Sequence, residues 1–187
     1  EILIKGNNVM KGYWNKPEAT AEVMTEDGYF KTGDIGEYDE DGFLKITDRK
    51  KDIIVMATGK NVAPQKIESR MGQDYYVEQV VVIGDKQKYI TALVVPSFPA
   101  LEEYAREKGI KYESHEDLVK KPEIIQFYRE RIDANSYDLA DFEKIKKFTL
   151  LPKPLTIERN EITPTLKVKR RVIAEAYKDV INQMYAS

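Results

Sequence analysis

Two strongly apolar segments, "QVVVIGD" at 79–85 and "ITALVVPS" at 90–97, lie next to each other in the chain. Apolar runs of this length, rich in β-branched residues, are typical of buried strands, and the short polar turn between them predicts that they pair. After Pro99 the pattern becomes helical, with apolar residues at helical spacing in "PEIIQFYRERIDANS" and "VIAEAYKDVINQMY". The predicted fold class is therefore α+β, with a compact sheet covered by helices.

The composition suits one or two domains with a real core. The chain has 187 residues, of which 42% are hydrophobic and 33% charged, and its net charge of −2 provides no global field to attract nucleic acid. It has no cysteine and a single histidine, His115, which argues against thiolate catalysis, disulfides and Cys or His metal sites. No apolar run approaches the roughly 20 residues that span a bilayer, and no signal peptide is evident. We expect a cytoplasmic protein, with peripheral contact with a membrane left open.

A charged break, "RKKD" at 49–52, separates two extended parts of the sequence. A break of this kind between apolar segments is a candidate domain boundary. We expect residues 1–50 to be strand-rich and residues 51–187 to form a separate small domain. Glu1 already opens the strand-like run "EILIKG", so we expect the chain to be a piece of a longer protein.

Residues 32–49 combine two strand-like segments around "DEDG", which has the chemistry of a tight turn. A two-residue loop, at either of two positions in this turn, would pair Asp34 with Arg49 or with Thr47. Both registers place the three side chains on one face, whereas an odd-length loop or a bulge would break this inference. One interpretation is an exposed salt bridge worth less than about 1 kcal/mol. The other is a site that offers a diol-binding carboxylate and a phosphate-binding guanidinium.

Four segments, "VMKGYWNKPEATAE", "GYFKTGDIGEYDEDGFLKITDRKKDIIV", "GKNVAPQKIE" and "ITPTLKVKR", follow one another along nearly the whole chain. In this order they resemble the C-terminal motifs of the AMP-forming acyl-CoA synthetases, which belong to the adenylate-forming superfamily. Two features resemble the long-chain fatty-acid branch in particular. One is the helical insert before the last segment, and the other is the sequence of that segment, which differs from the commoner Ser-Gly-Lys form. The resemblance implies that residues 1–50 end a large N-terminal domain and that residues 51–187 form a small mobile domain.

The resemblance also implies roles for five residues. Asp34 would bind both ribose hydroxyls of ATP, because a carboxylate accepts two hydroxyl protons at once, and Arg49 would contact the ribose and phosphate region. Lys167 would be the catalytic lysine that neutralises charge during adenylation. Lys51 would be the hinge between an adenylate-forming and a thioester-forming pose. Gly59 would belong to the loop that lines the pantetheine tunnel of CoA.

Simpler interpretations remain open for two of these positions. The catalytic candidate could belong to one solvated basic turn, made of Lys167, Lys169, Arg170 and Arg171. Gly59 could be a hairpin glycine that only serves a positive φ.

The implied parent enzyme is a fatty-acid–CoA ligase that uses fatty acid, ATP with Mg²⁺ on its phosphates, and CoA. No metal ligand and no nucleic-acid partner are expected in this chain. The phosphate loop, adenine pocket and acyl tunnel would lie in the upstream large domain, so we expect the chain alone to be inactive. One alternative is adenylation of another acid with transfer to a carrier protein. Another is a non-catalytic domain that holds nucleic acid or an anionic membrane through "KVKRR".

Overall fold

The structure, a computed structural model, describes residues 1–186. The chain divides into two compact units, Glu1–Ile53 and a second unit that begins at Ile54. The elements of the first unit are strands β1 (Leu3–Ile4), β2 (Phe30–Lys31), β3 (Asp34–Tyr38) and β4 (Leu44–Arg49), helix α1 (Pro17–Val23) and a 3-10 turn (Lys50–Asp52).

The first unit is built from two antiparallel strand pairs, β1 with β2 and β3 with β4. None of its apolar side chains is buried, although all of its residues are described, and its buried residue is Asp48. The β3–β4 register places Tyr38 opposite Leu44 and Gly36 opposite Ile46. These apolar side chains are therefore on one face, where Tyr38 is 75% and Ile46 67% exposed. The β3–β4 ribbon thus has an apolar face that this unit leaves largely uncovered.

The second unit contains the remaining strands and helices. They are β5 (Ile54–Val55), β6 (Asn61–Val62), α2 (Pro64–Met71), β7 (Val77–Ile83), β8 (Ile90–Pro96), α3 (Phe98–Glu107), α4 (His115–Leu118), α5 (Pro122–Ala134), β9 (Ile145–Leu150), α6 (Arg170–Ala176) and α7 (Lys178–Tyr185).

A three-stranded sheet with β8 at its centre organises this unit. β7 pairs with β8 antiparallel, as the two apolar segments predicted, and β9 pairs with β8 parallel. Every residue of β8 is buried, which explains why its sequence is apolar without alternation. α2 contacts β7, while α5 and α7 contact β9. The predicted α+β fold class is confirmed.

The C-terminal helix differs from the single amphipathic helix that the pattern predicted, because Tyr177 separates α6 from α7. α7 is fixed to the sheet by Tyr185, whose hydroxyl donates to Ile83 O at 3.1 Å and lies 2.9 Å from Thr91 Oγ1. These bonds satisfy the fully buried Thr91, and burial raises the pKa of Tyr185. Within residues 1–186, no helix is both long and apolar enough to cross a membrane.

Candidate functional site

Asp34 and Arg49 are paired residues of the β3–β4 hairpin, which is one of the two predicted registers. Arg49 Nε lies 3.1 Å from Asp34 Oδ1, with 48% of the arginine side chain and 25% of the aspartate side chain exposed. The sequence therefore brings a guanidinium and a carboxylate together on one accessible face. The pair is also an exposed cross-strand salt bridge, so this part of the simpler interpretation describes the geometry correctly.

The register arises by a different route from the predicted two-residue loop. The loop has three residues, 40–42, and is closed by Asp39 N donating to Phe43 O at 2.9 Å. A bulge near Ile35 then leaves Thr47 as an extra residue, whose hydroxyl donates to Ile35 O at 3.4 Å. The odd loop and the bulge each shift the pairing by one residue, and the two shifts cancel. The shared face predicted for Thr47 therefore does not follow from this register.

The backbone of the "TGD" segment, residues 32–34, is fixed by hydrogen bonds on both sides of Asp34. Asp34 N donates to Thr32 Oγ1 at 3.1 Å, and Asp34 O accepts a bond from Ile2 N at 2.8 Å. Gly33 has a φ of 73°, a conformation that favours glycine, and its carbonyl accepts a bond from Lys50 N at 2.7 Å. These bonds fix the point from which the carboxylate projects.

Lys51, the predicted hinge, lies in the 3-10 turn between Lys50 and Asp52 and is exposed. The turn is closed by Ile53 N donating to Arg49 O at 3.2 Å, and the first compact unit ends at Ile53. The hinge role of Lys51 remains a prediction.

Gly59 is the last residue of a three-residue loop, 57–59, between β5 and β6. Met56 N donates to Lys60 O at 3.0 Å, and Gly59 N donates to Met56 O at 2.8 Å. The φ of Gly59 is 78°, and apart from Gly59 and its two chain neighbours no described residue has an atom within 4 Å of the position that a Cβ would take. The hairpin interpretation of Gly59 therefore describes its backbone, and its predicted contact with pantetheine remains a prediction.

Lys167 directly follows a third three-residue loop, 164–166, within a small hairpin closed by the bridge of Ile162 with Val168. Thr163 N donates to Lys167 O at 2.8 Å, and Lys167 N donates to Thr163 Oγ1 at 3.0 Å. The side chain of Lys167 is exposed. The hairpin thus fixes the backbone of Lys167 while its amine faces solvent.

The base of this hairpin is anchored by Glu161, which is 3% exposed. Its carboxylate accepts bonds from Arg159 Nε at 3.0 Å, Tyr177 Oη at 3.0 Å and Thr156 N at 2.9 Å, and its carbonyl accepts Lys169 N at 2.8 Å. Burial acts to raise the pKa of Glu161, but these hydrogen bonds outweigh it and lower the pKa. Because the folded pKa is below the unfolded value, the stabilisation is present near neutral pH and is lost as pH falls through the folded pKa. No local sequence pattern indicated this anchor.

The exit of the hairpin is fixed by Arg170, the first residue of α6. Arg170 Nη2 donates to Glu68 Oε2 on α2 at 2.6 Å, and Nη1 donates to Val82 O on β7 at 3.0 Å. The interpretation of Lys167 and its basic neighbours as one solvated turn is therefore wrong for Arg170. Arg170 is engaged in an internal ion pair with Glu68, so it is not available to bind an anion in the alternative proposed for "KVKRR".

The two loops that end in Gly59 and Leu166 offer a test of local strain, because both place their last residue at positive φ. Leu166 has a φ of 59° and is 72% exposed, so its side chain adds strain without packing. We expect the free energy of unfolding of Leu166→Gly to exceed that of Leu166→Ala by about 0.5–1 kcal/mol. Both variants remove the leucine side chain, but only glycine also removes Cβ. The reverse exchange, Gly59→Leu, should destabilise by about 1–2 kcal/mol. Urea unfolding of the four proteins measures this, and equal values for the two Leu166 variants would contradict it.

Residues 51–187 match the family described as "AMP-binding enzyme C-terminal domain". The chain belongs to this family. Relatives of this AMP-binding enzyme C-terminal domain include a long-chain-fatty-acid–CoA ligase of Mycobacterium tuberculosis, 41% identical over 99% of the chain. Long-chain-fatty-acid–CoA ligase 5 of Mus musculus is 40% identical over 100% of the chain. The chain spans 31% of the first relative and 28% of the second.

Solved structures similar to this AMP-binding enzyme C-terminal domain come from adenylation domains. The adenylation domain of a carboxylate reductase from Mycobacterium chelonae matches with a TM-score of 0.78 and 29% identity, over 99% of this chain and 27% of that one. ATP-bound MatB from Rhodopseudomonas palustris matches with a TM-score of 0.62 and 29% identity, over 95% of this chain and 30% of that one. The resemblance to the adenylate-forming enzymes is confirmed at the level of family and fold.

Proposed function

We propose that this chain is the C-terminal part of an ATP-dependent long-chain fatty-acid–CoA ligase. The observation that carries the proposal is the 41% identity, over 99% of the chain, to a long-chain-fatty-acid–CoA ligase. The complete ligase would convert fatty acid, ATP and CoA into acyl-CoA, AMP and pyrophosphate through an acyl-adenylate. A cytoplasmic location is part of the proposal.

In the first step, a carboxylate oxygen of the fatty acid attacks the α-phosphorus of ATP, and pyrophosphate leaves. Two anionic groups approach each other, so a cation aimed at their oxygens lowers the barrier. Lys167 supplies this cation in our proposal, which is supported by its exposed amine on an anchored hairpin. In the second step, the sulfur of CoA attacks the acyl carbonyl carbon and AMP leaves, so Lys167 is not required in the same way.

Asp34 and Arg49 are proposed to bind the nucleotide. This exposed ion pair contributes little to stability, and both of its side chains are accessible to a ligand. The carboxylate would accept bonds from both ribose hydroxyls, and the guanidinium would donate to the ribose and phosphate region. Mg²⁺ would arrive on the ATP phosphates. Among residues 1–186, no group of three or more His, Cys, Asp or Glu side chains is arranged to hold a metal ion.

We further propose that residues 1–50 end the large domain and that residues 51–187 are the small mobile domain, with Lys51 as the hinge and Gly59 beside the pantetheine of CoA. An exposed residue in a short turn next to the unit boundary at Ile53 suits a hinge. The phosphate loop and acid pocket would belong to the upstream large domain. The chain alone is therefore proposed to have no ligase activity.

Asp34→Ala tests the nucleotide site in the full-length ligase. Losing charge-assisted hydrogen bonds to two hydroxyls should weaken ATP binding by about 1–3 kcal/mol and reduce the preference for ATP over 2'-deoxy-ATP. Titration of both nucleotides measures the effect. The control is Glu37→Ala, because Glu37 is an exposed carboxylate of the same hairpin, paired with Lys45. If discrimination between the nucleotides is unchanged in Asp34→Ala, the pair is only a salt bridge.

A second candidate function is adenylation of another carboxylic acid with transfer to a carrier protein. It is favoured by the TM-score of 0.78 to a carboxylate reductase adenylation domain. The two candidates differ in the thiol that accepts the acyl group. Acyl transfer from supplied acyl-adenylate to CoA supports the ligase, and transfer to a phosphopantetheinylated carrier with none to CoA supports the alternative.

A further inference from the structure

Residues 136–144, which are part of the loop between α5 and β9, lie beside α2. We call them the strap. Both nitrogens at the end of the Arg70 guanidinium contact the carboxylate of Asp138, with Nη2 2.8 Å from Oδ2. One helical turn earlier, Lys66 Nζ lies 3.4 Å from Glu143 Oε1. Two cations at i and i+4 of α2 therefore face two carboxylates of the strap, which fixes the strap along the helix.

The strap also reaches the hairpin that precedes α2. Lys60, the residue after Gly59, places its Nζ 4.3 Å from the ring centroid of Phe142. Phe142 is partly buried and packs against the hydrophobic core, so the core fixes the position of the ring that contacts the Lys60 amine. The strap thus contacts the hairpin beside its glycine loop.

The strap is itself anchored at its start and in its middle. Ser136 is buried, and its hydroxyl donates to Ile132 O on α5 at 2.6 Å. Leu139 is 5% exposed and belongs to the core. Because the strap is fixed to α5 and to the core, it can also fix the residues that its exposed side chains contact on α2 and at Lys60.

The two arms of the β5–β6 hairpin are held differently. The first arm is bonded through its backbone to the β7–β8 turn, with Lys86 N donating to Val55 O at 2.8 Å and Ala57 N donating to Gln87 O at 3.0 Å. The second arm meets the strap through the side chain of Lys60. The strap therefore complements the backbone bonds of the first arm.

We propose that the strap is a positioning element that holds the second arm of the β5–β6 hairpin and the exposed side of α2, from Lys66 to Arg70. The inference rests on the proposed function for its consequence: the strap sets where the loop 57–59 meets the thiol arm of CoA. Each contact is exposed and individually weak, but a small displacement of a loop beside the reacting thiol costs rate out of proportion to stability. Asp138, Phe142 and Glu143 are thus assigned as positioning residues.

Amide hydrogen exchange of this chain tests the structural part of the proposal. Met56 N and Gly59 N are hydrogen-bonded within the hairpin, so their exchange reports its opening. We expect Asp138→Asn and Phe142→Leu to speed exchange at these amides about fivefold while exchange in β8 is unchanged. The matched control is Asp141→Asn, which removes an ion pair within the strap, 3.0 Å to Lys144. Exchange no faster than in Asp141→Asn would overturn the proposal.

The functional part is tested in the full-length ligase. With supplied acyl-adenylate, Asp138→Asn should raise the KM for CoA about fivefold, whereas adenylate formation should match wild type. The double variant Arg70→Asp with Asp138→Arg should restore the KM, because it rebuilds the pair with reversed charges. Faster exchange with an unchanged KM for CoA would overturn the role in the thioester step. A wild-type enzyme without fatty-acid-dependent AMP formation would instead overturn the proposed function and leave the exchange result intact.

Discussion

Lys167→Ala is expected to slow adenylate formation by the full-length ligase about a hundredfold or more, while thioester formation from supplied acyl-adenylate changes little. The difference between the two steps follows from charge. Only adenylation brings a fatty-acid carboxylate against the α-phosphate, and only that step needs a cation between two sets of anionic oxygens. The hairpin of residues 162–168 already fixes the backbone of Lys167, so alanine removes the amine and leaves its support in place.

Pyrophosphate release and thioester formation, measured separately, report the two steps. The matched control is Lys169→Ala, because Lys169 directly follows the same hairpin and its amine contacts Asn160 Oδ1. It should retain most of the adenylation rate. Equal losses in both half-reactions of Lys167→Ala would contradict the assigned role.

Lys51→Pro is expected to abolish most of the CoA-dependent step, with adenylation retained. Proline fixes φ of residue 51 near −65° and restricts the backbone of residue 50. A hinge turn that must change these dihedral angles would then hold the small domain in one pose. The position lies in the Lys50–Asp52 turn, directly before the end of the first compact unit at Ile53. We expect the thioester rate to fall at least about a hundredfold, because in our proposal only this step requires the second pose.

Lys51→Ala is the control for this variant, since it removes the same side chain but leaves φ free. It should resemble wild type in both half-reactions. Loss of adenylation with normal thioester formation in Lys51→Pro would place the pivot elsewhere in the chain.

The pairing of β7 with β8 could be predicted because its signal is local, whereas the parallel pairing of β9, which is distant in the chain, could not. The apolar segments that became β7 and β8 are continuous and lie on either side of a polar turn, and α5 has an apolar stripe at helical spacing. The break between α6 and α7 at Tyr177 could not be predicted from this pattern, because the apolar spacing continues across it. The hydroxyl of Tyr177 donates a hydrogen bond to the buried carboxylate of Glu161 at 3.0 Å, a contact that the helical pattern does not contain.

The candidate site was predictable to a similar extent. The predicted pairing of Asp34 with Arg49 is found in the structure, but it depends on two register shifts that cancel and not on alternation alone. Alternation is not enough to predict the three-residue loop and the bulge, because each alone would have moved Arg49 off this register. Glu161 was missed because a buried acid is recognised only from its hydrogen-bond partners. Two of these, Thr156 and Arg159, are local but form no recognised motif, and the third, Tyr177, lies on the far side of the hairpin in sequence.

The absence of buried apolar side chains from Glu1–Ile53 has a practical meaning for protein engineering. A two-stranded ribbon with an open apolar face is at best marginally stable in water, whereas the sheet around β8 has a core of its own. We therefore expect the residues from Ile54 onward to fold as an exchangeable unit in chimeras of related enzymes. We expect the β3–β4 ribbon, with Tyr38, Leu44 and Ile46, to be best taken from the recipient enzyme. A crossover point after Ile53 keeps the ribbon with the recipient and the core with the transferred residues.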